Sequence, residues 1–179
     1  TIQAIVHTGA TPILIDVNED EQMNLDQIES VITKRTKAII PVHYTGAMVD
    51  MKRLLLIAKK YKLHVIEDAC QALGATQGDK KAGSSGVLGC FSFNTAKLLG
   101  GLSDGGVVVT NNRQLYETIC LLRNHWNVHQ LSVDRSDYPQ PNKMNWAWKS
   151  RLSNVNAAFL LVKFKYLEWM LERRKEIAH

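Results

Sequence analysis

Short apolar segments alternate with amphipathic segments along most of this chain, and this alternation restricts its fold more than any other feature. The apolar segments with the length of β-strands are Pro12 to Val17, Ala38 to His43, His64 to Asp68, Cys90 to Phe93 and Gly106 to Thr110. A strand followed by a helix and a second strand forms a crossover unit, in which the strands are parallel and the helix covers the sheet. We therefore predict an α/β fold with a mostly parallel sheet flanked by helices.

Helices are predicted from capping residues and from the spacing of apolar side chains. Asn24 and Asp50 can each accept a hydrogen bond from the first turn of the helix that follows it. Arg113 to Trp126 predicts a further helix, and Asn154 to Ala178 predicts a long one. The polar segment Asn127 to Ala147, which contains two prolines, is predicted to be a loop.

Length and composition limit the chain to one core and one domain, because it has 179 residues of which 45% are hydrophobic. Its net charge is +5, but the basic residues are spread over helices such as the one that contains Arg173, so we expect no nucleic-acid partner.

No apolar run is long enough to span a bilayer. Cys70, Cys90 and Cys120 are odd in number and lack metal-site spacing, which favours a reducing cytoplasm without a disulfide framework or a zinc site.

Lys97 is the best candidate for a catalytic residue. It follows Phe91-Ser92-Phe93 and precedes Gly100-Gly101 and Gly105-Gly106, so it lies on a glycine-rich turn between two predicted strands. Glycine lets the backbone approach a ligand closely. A lysine that is partly buried at such a turn can form a Schiff base with an aldehyde, whereas a surface lysine stays an inert ammonium.

Asp68 is predicted to lie at the carboxyl end of a strand, where open α/β sheets place functional side chains. An ionised carboxylate there can hold the nitrogen of a pyridine ring in its protonated form. A protonated ring withdraws electrons from a carbanion, which is the chemistry of pyridoxal 5'-phosphate (PLP). Asp68 and Lys97 together therefore suit an aldehyde cofactor built on a pyridine ring.

Three motifs in order, Val65 to Gly74, Phe91 to Lys97 and Asp104 to Thr110, resemble those of the DegT/DnrJ-type nucleotide-sugar aminotransferases. These are PLP enzymes of the aspartate-aminotransferase fold class. Gly9 to Val17, Thr36 to His43 and Arg151 to Ala158 are also similar to family sequence, so the resemblance covers nearly the whole chain and is weakest between residues 127 and 143. It implies the large PLP-binding domain of a fold-type I aminotransferase.

The resemblance assigns a role to each matching residue. Lys97 corresponds to the lysine that forms the Schiff base, Asp68 to the partner of the pyridine nitrogen, and Gln71 to the residue beside the phenolic oxygen of the cofactor. Ser92 corresponds to a hydroxyl that contacts the phosphate. Lys149 falls where the family has an asparagine or lysine that reaches the phosphate of the neighbouring subunit's cofactor, and this implies a homodimer with shared sites.

The family's enzymes are about twice as long as this chain. Thr1 is followed by Ile2 to His7, which has the pattern of a helix end capped by Gly9, so we expect an internal fragment of the large domain. Residues 151–179 are expected to form a long helix that leads to a small C-terminal domain. The implied reaction moves an amino group from glutamate to a keto group on a nucleotide-linked sugar, in cell-envelope polysaccharide or sugar-antibiotic assembly.

Alternatives exist for each assignment. Asp68 could cap the following turn, Gln71 could satisfy backbone groups, and Ser92 could belong to the polar face of a strand. His43 is expected to be a structural residue, and Arg151 could pair with an anion or cap a helix. A branch of the family dehydrates sugars with histidine in place of the lysine, and a non-catalytic fragment or interaction module is a further hypothesis. No dinucleotide or P-loop motif is present.

Overall fold

A four-stranded sheet forms the centre of the computed structural model, which describes residues 1–124, 147 and 149–178. The strands are β1 (Ala38–Ile39), β2 (His64–Asp68), β3 (Thr76–Gln77), β4 (Lys80–Lys81), β5 (Leu88–Ser92) and β6 (Gly106–Val109). The sheet has the order β1-β2-β5-β6, while β3 and β4 form a separate antiparallel pair. β1 and β5 both run parallel to β2, and β6 runs antiparallel to β5. The predicted α/β class with a mostly parallel sheet is confirmed.

Helices precede, connect and follow these strands. They are α1 (Ile2–His7), α2 (Ile28–Val31), α3 (Met51–Tyr61), α4 (Arg113–Arg123), α5 (Asn154–Phe164) and α6 (Leu167–Ala178). α3 is the crossover between the parallel strands β1 and β2. Among the residues described, no helix is both long enough and apolar enough to cross a membrane.

The predicted caps are confirmed. The Asp50 carboxylate accepts a hydrogen bond from the Arg53 amide at 3.0 Å in the first turn of α3. Asn24 accepts one from the Asp26 amide at 3.0 Å and caps a short 3-10 turn that leads into α2. Gly9 has a φ of +79° and follows the C-terminal end of α1, where its amide donates to the Val6 carbonyl. This is a left-handed conformation that glycine adopts without a steric cost.

The core lies between α3 and the strands β1 and β2. Leu54 of α3 is completely buried, and Val65 of β2 is 2% exposed. The buried positions of α3 are Met51, Leu54, Ile57 and Ala58, which share one helical face. This core fixes the position of β2, whose C-terminal residue is Asp68.

The predicted strand Pro12 to Val17 is wrong. Ile13 and Leu14 are 64% and 70% exposed, and the region has only an isolated bridge between Val17 and Met23. The Asp16 amide donates to the Gln27 side chain at 2.9 Å, and its carbonyl accepts from the Asn24 amide at 3.0 Å. The apolar run therefore does not form a strand, and the backbone of Asp16 at its end bonds to the turn before α2.

The predicted strand Ala38 to His43 ends early because Pro41 has no N–H group to donate to a neighbouring strand. The pairing resumes in the same register after the proline, where the His43 amide donates to the Asp68 carbonyl at 3.0 Å. The Asp68 amide in turn donates to the Pro41 carbonyl at 2.9 Å. The predictions for β2, β5 and β6 agree with the structure to within two residues at each end.

The predicted long helix Asn154 to Ala178 is two helices, α5 and α6. The amides of Lys165 and Tyr166 donate to carbonyls that lie three residues earlier, which tightens the last turn of α5 and ends it. The periodicity of apolar residues continues across this break, so it did not reveal the interruption. The end of the helix predicted to reach Trp126 and, apart from Ala147, the loop predicted from Asn127 to Ala147 lie outside the described residues.

Candidate active site

The carboxyl ends of β2 and β5 lie side by side. Asp68 is the register partner of Cys90, and the Ala69 amide donates to the Cys90 carbonyl at 2.9 Å. Asp68 is the last residue of β2, and Ser92 is the last residue of β5. The parallel pairing therefore brings both side chains to the edge of the sheet at which ligands bind in open α/β folds.

Lys97 lies in the segment that leaves this edge, residues 93–105, which we call the lysine loop. Its amide donates to the Asn94 carbonyl at 2.9 Å, and the Asn94 amide donates to the Ser92 hydroxyl at 3.2 Å. The Asn94 side chain accepts a hydrogen bond from the Ala96 amide at 3.0 Å. Lys97 is partly buried, as the surrounding glycines led us to expect. The turn is thus a hydrogen-bonded unit that begins at the end of β5.

Glycine is required where the lysine loop folds back on itself. A Cβ atom at Gly100 would lie 2.4 Å from the Thr95 carbonyl oxygen, and one at Gly101 would lie 2.2 Å from the side chain of Asn156. The Gly101 amide donates to the Phe93 carbonyl at 2.8 Å. A larger residue at Gly100 would therefore open the turn of the loop, and one at Gly101 would push the loop away from Asn156.

The carboxylate of Asp68 is half-buried at the edge of the sheet. It accepts a hydrogen bond from the Cys70 amide at 3.2 Å and another from the Thr1 hydroxyl. Burial by itself would raise the pKa of Asp68, but the hydrogen bonds from Cys70 and Thr1 outweigh burial and hold this pKa below its usual value. Asp68 is therefore an ionised carboxylate at neutral pH.

The charges of both Asp68 and Lys97 affect the pKa of the Cys70 thiol. Burial is the largest cause that raises the pKa of the Cys70 thiol to about 12, and the hydrogen bond to Asp68 and the charge of Asp68 raise it further. The charge of Lys97 acts on the same thiol in the opposite direction. The charges of Asp68 and Lys97 therefore act on one thiol in opposite directions. The membership of Asp68 and Lys97 in one cofactor site stays a prediction.

Ser92 and Gln71 each bond to the backbone. The Ser92 hydroxyl accepts from the Asn94 amide, and the exposed Gln71 side chain accepts from the Thr45 amide at 3.2 Å. Thr45 has a φ of +55°, which a residue other than glycine rarely adopts, so the hydrogen bond that its amide donates to Gln71 stabilises an unusual turn. The roles of Ser92 and Gln71 toward a cofactor stay predictions.

Lys149 is exposed near the N-terminal end of α5. It forms an isolated bridge with Asn124, and the neighbouring Ser150 amide donates to the Arg123 carbonyl at 2.9 Å. Lys149 and Arg151 line a cleft of about 510 Å³. Two basic side chains therefore face one open cleft, which lies beside α5 and not in the lysine loop.

A buried pair that was not predicted from the sequence lies beneath Asp68. The Glu67 carboxylate is completely buried and lies 2.9 Å from Nε2 of His43, which is also completely buried. The His43 Nδ1 atom accepts from the Val49 amide at 3.3 Å, so the ring carries its proton on Nε2 and donates it to Glu67. His43 is thus a structural residue, as expected.

Glu67 also accepts hydrogen bonds from the loop before β5. The amides of Gly83, Ser85 and Gly86 donate to it at 2.9, 2.7 and 2.5 Å. Burial opposes ionisation of Glu67, but the bond from His43 and the three backbone bonds outweigh it and lower its pKa. The signal for this pair was present in the alternation of β2, since Val65 and Glu67 share the core-facing side of the strand. A charged residue at a core position requires a partner.

Comparisons with known proteins agree with one another. A model of the DegT/DnrJ/EryC1/StrS aminotransferase family matches residues 1–179. A UDP-N-acetyl-3-dehydro-alpha-D-glucosamine 3-aminotransferase of Acidithiobacillus ferrooxidans is 38% identical over 181 residues, which cover 99% of this chain and 46% of that protein. A DegT DnrJ EryC1 StrS aminotransferase from Brucella abortus has a similar structure, with a TM-score of 0.86 and 32% identity over 99% of this chain and 47% of that one.

A third relative is informative because its structure contains a cofactor. NtdA from Bacillus subtilis, with bound cofactor PMP, has a TM-score of 0.76 and 33% identity over 92% of this chain and 36% of its own. The chain spans about half the length of the curated relatives it matches.

Replacing Glu67 with Gln is expected to lower the free energy of unfolding by about 3 kcal/mol, because an NH2 group would then face backbone N–H donors in a buried site. Urea unfolding at neutral pH measures this loss. The control is Glu29→Gln, which changes an exposed carboxylate bonded to Lys60 and Tyr61 and should have little effect. Equal midpoints for Glu67→Gln and the unchanged protein would contradict the structural role of Glu67.

The same substitution is expected to change the pH dependence of stability. The pKa of Glu67 is lower in the folded than in the unfolded state, so its stabilisation is complete above the usual value of 4.5 and is lost as the pH falls through the folded value. Unfolding at a series of pH values from 7 to about 3 should therefore give a shallower acid-side decline for Glu67→Gln.

Proposed function

Because this chain belongs to the DegT/DnrJ/EryC1/StrS aminotransferase family, we propose that the complete protein is a PLP-dependent sugar aminotransferase. It would move an amino group from an amino acid, with glutamate as the expected donor, to a keto group on a nucleotide-linked sugar. The observation that carries this proposal is the parallel pairing of β2 and β5, which brings Asp68 and Ser92 to the edge of the sheet from which the lysine loop with Lys97 leaves. The relative from Acidithiobacillus ferrooxidans, named as an aminotransferase for a UDP-linked dehydro sugar, supports the substrate class.

The residues at this edge of the sheet fit PLP. Asp68 supplies a negative charge for a ring nitrogen, Lys97 supplies an amine for the aldehyde, and Ser92 supplies a hydroxyl for the phosphate. NtdA, which is similar to this chain, has the amino form of the same cofactor bound. When bound, PLP supplies an aldehyde that takes up the amino group and a protonated ring that accepts electrons from the substrate carbon.

Asp68 and Lys97 would perform different steps. The Asp68 carboxylate, which its hydrogen bonds keep ionised, would hold a proton on the ring nitrogen. The Lys97 amine would bind the aldehyde in the resting enzyme. With its amine free, Lys97 would act as the base that takes the proton from the α-carbon of the donor and would deliver it to the former aldehyde carbon, on the other side of the shared nitrogen. With the keto-sugar, Lys97 would move a proton in the reverse direction.

Gln71 and Ser92 would orient the cofactor from two sides. Gln71 follows Asp68 by three residues and would lie beside the phenolic oxygen. Ser92 ends β5 and would donate its hydroxyl proton to the phosphate while its oxygen accepts from Asn94. Such a division is chemically consistent, because a hydroxyl group donates one hydrogen bond and accepts others.

We further propose that the complete protein is a cytoplasmic homodimer in which Lys149 reaches the phosphate in the neighbouring subunit. The open cleft that Lys149 and Arg151 line supports an anion-binding role for this surface. The three free thiols of the chain support a reducing compartment. Residues 1–179 would form part of the large cofactor-binding domain, and α6 would lead toward a small domain.

Lys97 should be the residue that PLP modifies. We expect borohydride reduction of the PLP-loaded complete protein, followed by peptide mass mapping, to place a pyridoxyl group on Lys97, because it is the lysine at the site. Lys97→Arg keeps the positive charge but should abolish the label. Lys59→Ala, which removes an exposed lysine from α3, should not change it. Full labelling of the Lys97→Arg protein within the same region would remove Lys97 from the mechanism.

Asp68→Asn should separate binding from proton transfer. The label on Lys97 should persist, but the half-reaction with glutamate should slow by about 10²- to 10⁴-fold, because a neutral amide does not keep the ring nitrogen protonated. Stopped-flow absorbance of the cofactor measures this step. Asp79→Asn, a change in the exposed turn between β3 and β4, is the control. A half-reaction as fast as that of the control would refute the role of Asp68.

Lys149 should act across the subunit interface. Lys97→Ala and Lys149→Ala subunits are each expected to give impaired dimers, but mixed dimers should regain activity in one of their two sites. The physical reason is that one site then contains both intact lysines and the other contains neither. Activity of co-expressed, doubly tagged and purified mixed dimers measures this. Mixed dimers that are no more active than the parents would mean that Lys149 serves its own subunit.

A further inference from the structure

The first turn of α5 contacts the lysine loop through one buried side chain. Asn156 is 2% exposed, and its Oδ1 atom accepts a hydrogen bond from the Leu102 amide at 2.8 Å. Its Nδ2 atom donates to the carbonyls of Ser103 and Asp104 at 3.3 and 3.5 Å. Three consecutive residues of the lysine loop are therefore bonded to one amide group.

The chemistry of these partners defines the orientation of the Asn156 amide. A backbone N–H group needs an acceptor, and two carbonyl oxygens need donors, so only an amide can serve all three in this arrangement. The position of Asn156 on α5 is itself restrained, because its backbone amide donates to the capping hydroxyl of Ser153 at 3.2 Å. At this third position of a helix, glutamate or glutamine side chains commonly reach back to the cap. Asn156 instead reaches across to the lysine loop.

The contact continues from the loop to Lys97. The Asp104 carboxylate accepts a hydrogen bond from the Asn94 side-chain amide at 2.7 Å. Asn94 holds the other side of the turn, since its carbonyl accepts from the Lys97 amide and its side chain accepts from the Ala96 amide. A continuous series of hydrogen bonds thus runs from Asn156 through Asp104 and Asn94 to Lys97.

A second side chain of α5 supports the same loop. The Lys163 ammonium, seven residues after Asn156 and hence on the same helical face, donates to the Gly100 carbonyl at 2.7 Å. Gly101 lies directly against Asn156, and a Cβ atom at Gly105 would meet Leu152 at 2.8 Å. The glycine-rich half of the loop is therefore packed on α5 and on Leu152, which lies just before it.

We propose that Asn156 is a positioning residue that holds Lys97 in place, and this inference rests on the proposed function of Lys97. The lysine loop is irregular backbone whose polar groups need partners when they are buried. Asn156 supplies three of those bonds from a regular helix. The position of α5 therefore fixes the position of the turn that contains Lys97. Without it, the amine should sample positions displaced from the cofactor.

The first test uses the cofactor-free complete protein and amide hydrogen exchange. In Asn156→Ala, exchange at the Ala96 and Lys97 amides should become about tenfold faster, the change that about 1.4 kcal/mol produces. Asn156→Asp keeps the acceptor for Leu102 but turns a negative charge toward two carbonyls, so it should show the same direction. The control is Leu160→Ala, which removes a buried side chain one turn later in α5 but none of the hydrogen bonds to the loop, because a leucine side chain forms none.

The second test uses the rate at which PLP and borohydride label Lys97. Both Asn156 variants should react about 10- to 100-fold more slowly, the loss that accompanies a displacement of roughly 1 Å between reacting groups. Leu160→Ala should lower the melting temperature as much as Asn156→Ala does but should label at the normal rate below its melting temperature. If Asn156→Ala does not fold, Asn156→Asp provides the comparison.

Normal exchange at Ala96 and Lys97 in both Asn156 variants would overturn the proposal. Equal slowing of the label in Leu160→Ala would also overturn it, because the effect would then reflect general loss of packing in α5. The two hypotheses can fail separately. If the unchanged protein does not take the label on Lys97, the proposed function fails, whereas the exchange experiment still decides whether Asn156 holds the turn.

Discussion

The buried carboxylate of Glu67 is the interaction on which the rest of the site depends. A charge in the core is tolerated only when hydrogen bonds replace the water it has lost. Here those bonds come from His43, which follows β1, and from three backbone amides before β5. Glu67 therefore ties the segments on both sides of β2 to the strand that ends in Asp68.

The pairing of β2 with β5 explains how two segments that are distant in the sequence reach the same edge of the sheet. Asp68 and Lys97 lie on different segments, and both segments leave the same edge of the sheet because β2 and β5 are parallel with Asp68 opposite Cys90. Lys97 lies beyond the end of β5 in the lysine loop, which has little regular structure of its own. Its hydrogen bonds to Asn156 and Lys163 of α5 give it a rigid support. Precise placement of a reactive group generally needs such support, because loops without it sample many conformations.

Several polar residues at this edge combine structural and proposed chemical roles. Ser92 accepts from Asn94, Gln71 accepts from the strained residue Thr45, and Asp68 accepts from Cys70. A residue that the backbone already orients loses less conformational entropy when it binds a ligand. The alternatives considered from the sequence, capping and backbone satisfaction, are thus compatible with the proposed cofactor contacts and do not exclude them.

Much of the fold was predictable because it depends on local patterns. Strands such as β2, the caps Asn24 and Asp50, and the glycine-rich turn at Lys97 follow from alternation, side-chain chemistry and backbone freedom over a few neighbouring residues. The same motifs identified the family. Local patterns failed at residues 12–17, where an apolar run bonds to the turn before α2, and between α5 and α6, where periodicity continued across a break.

What the sequence by itself determined is therefore the α/β class and the family, and it also singled out Lys97 and Asp68 as the candidates for the reactive lysine and its carboxylate partner. Only the tertiary structure decided which distant groups pair with each other, such as His43 with Glu67 and Asn156 with Leu102. The physical reason is that the stabilisation from a buried hydrogen bond depends on the relative geometry of its donor and acceptor. That geometry exists only after the sheet has set the register of its strands and α5 has packed against the lysine loop.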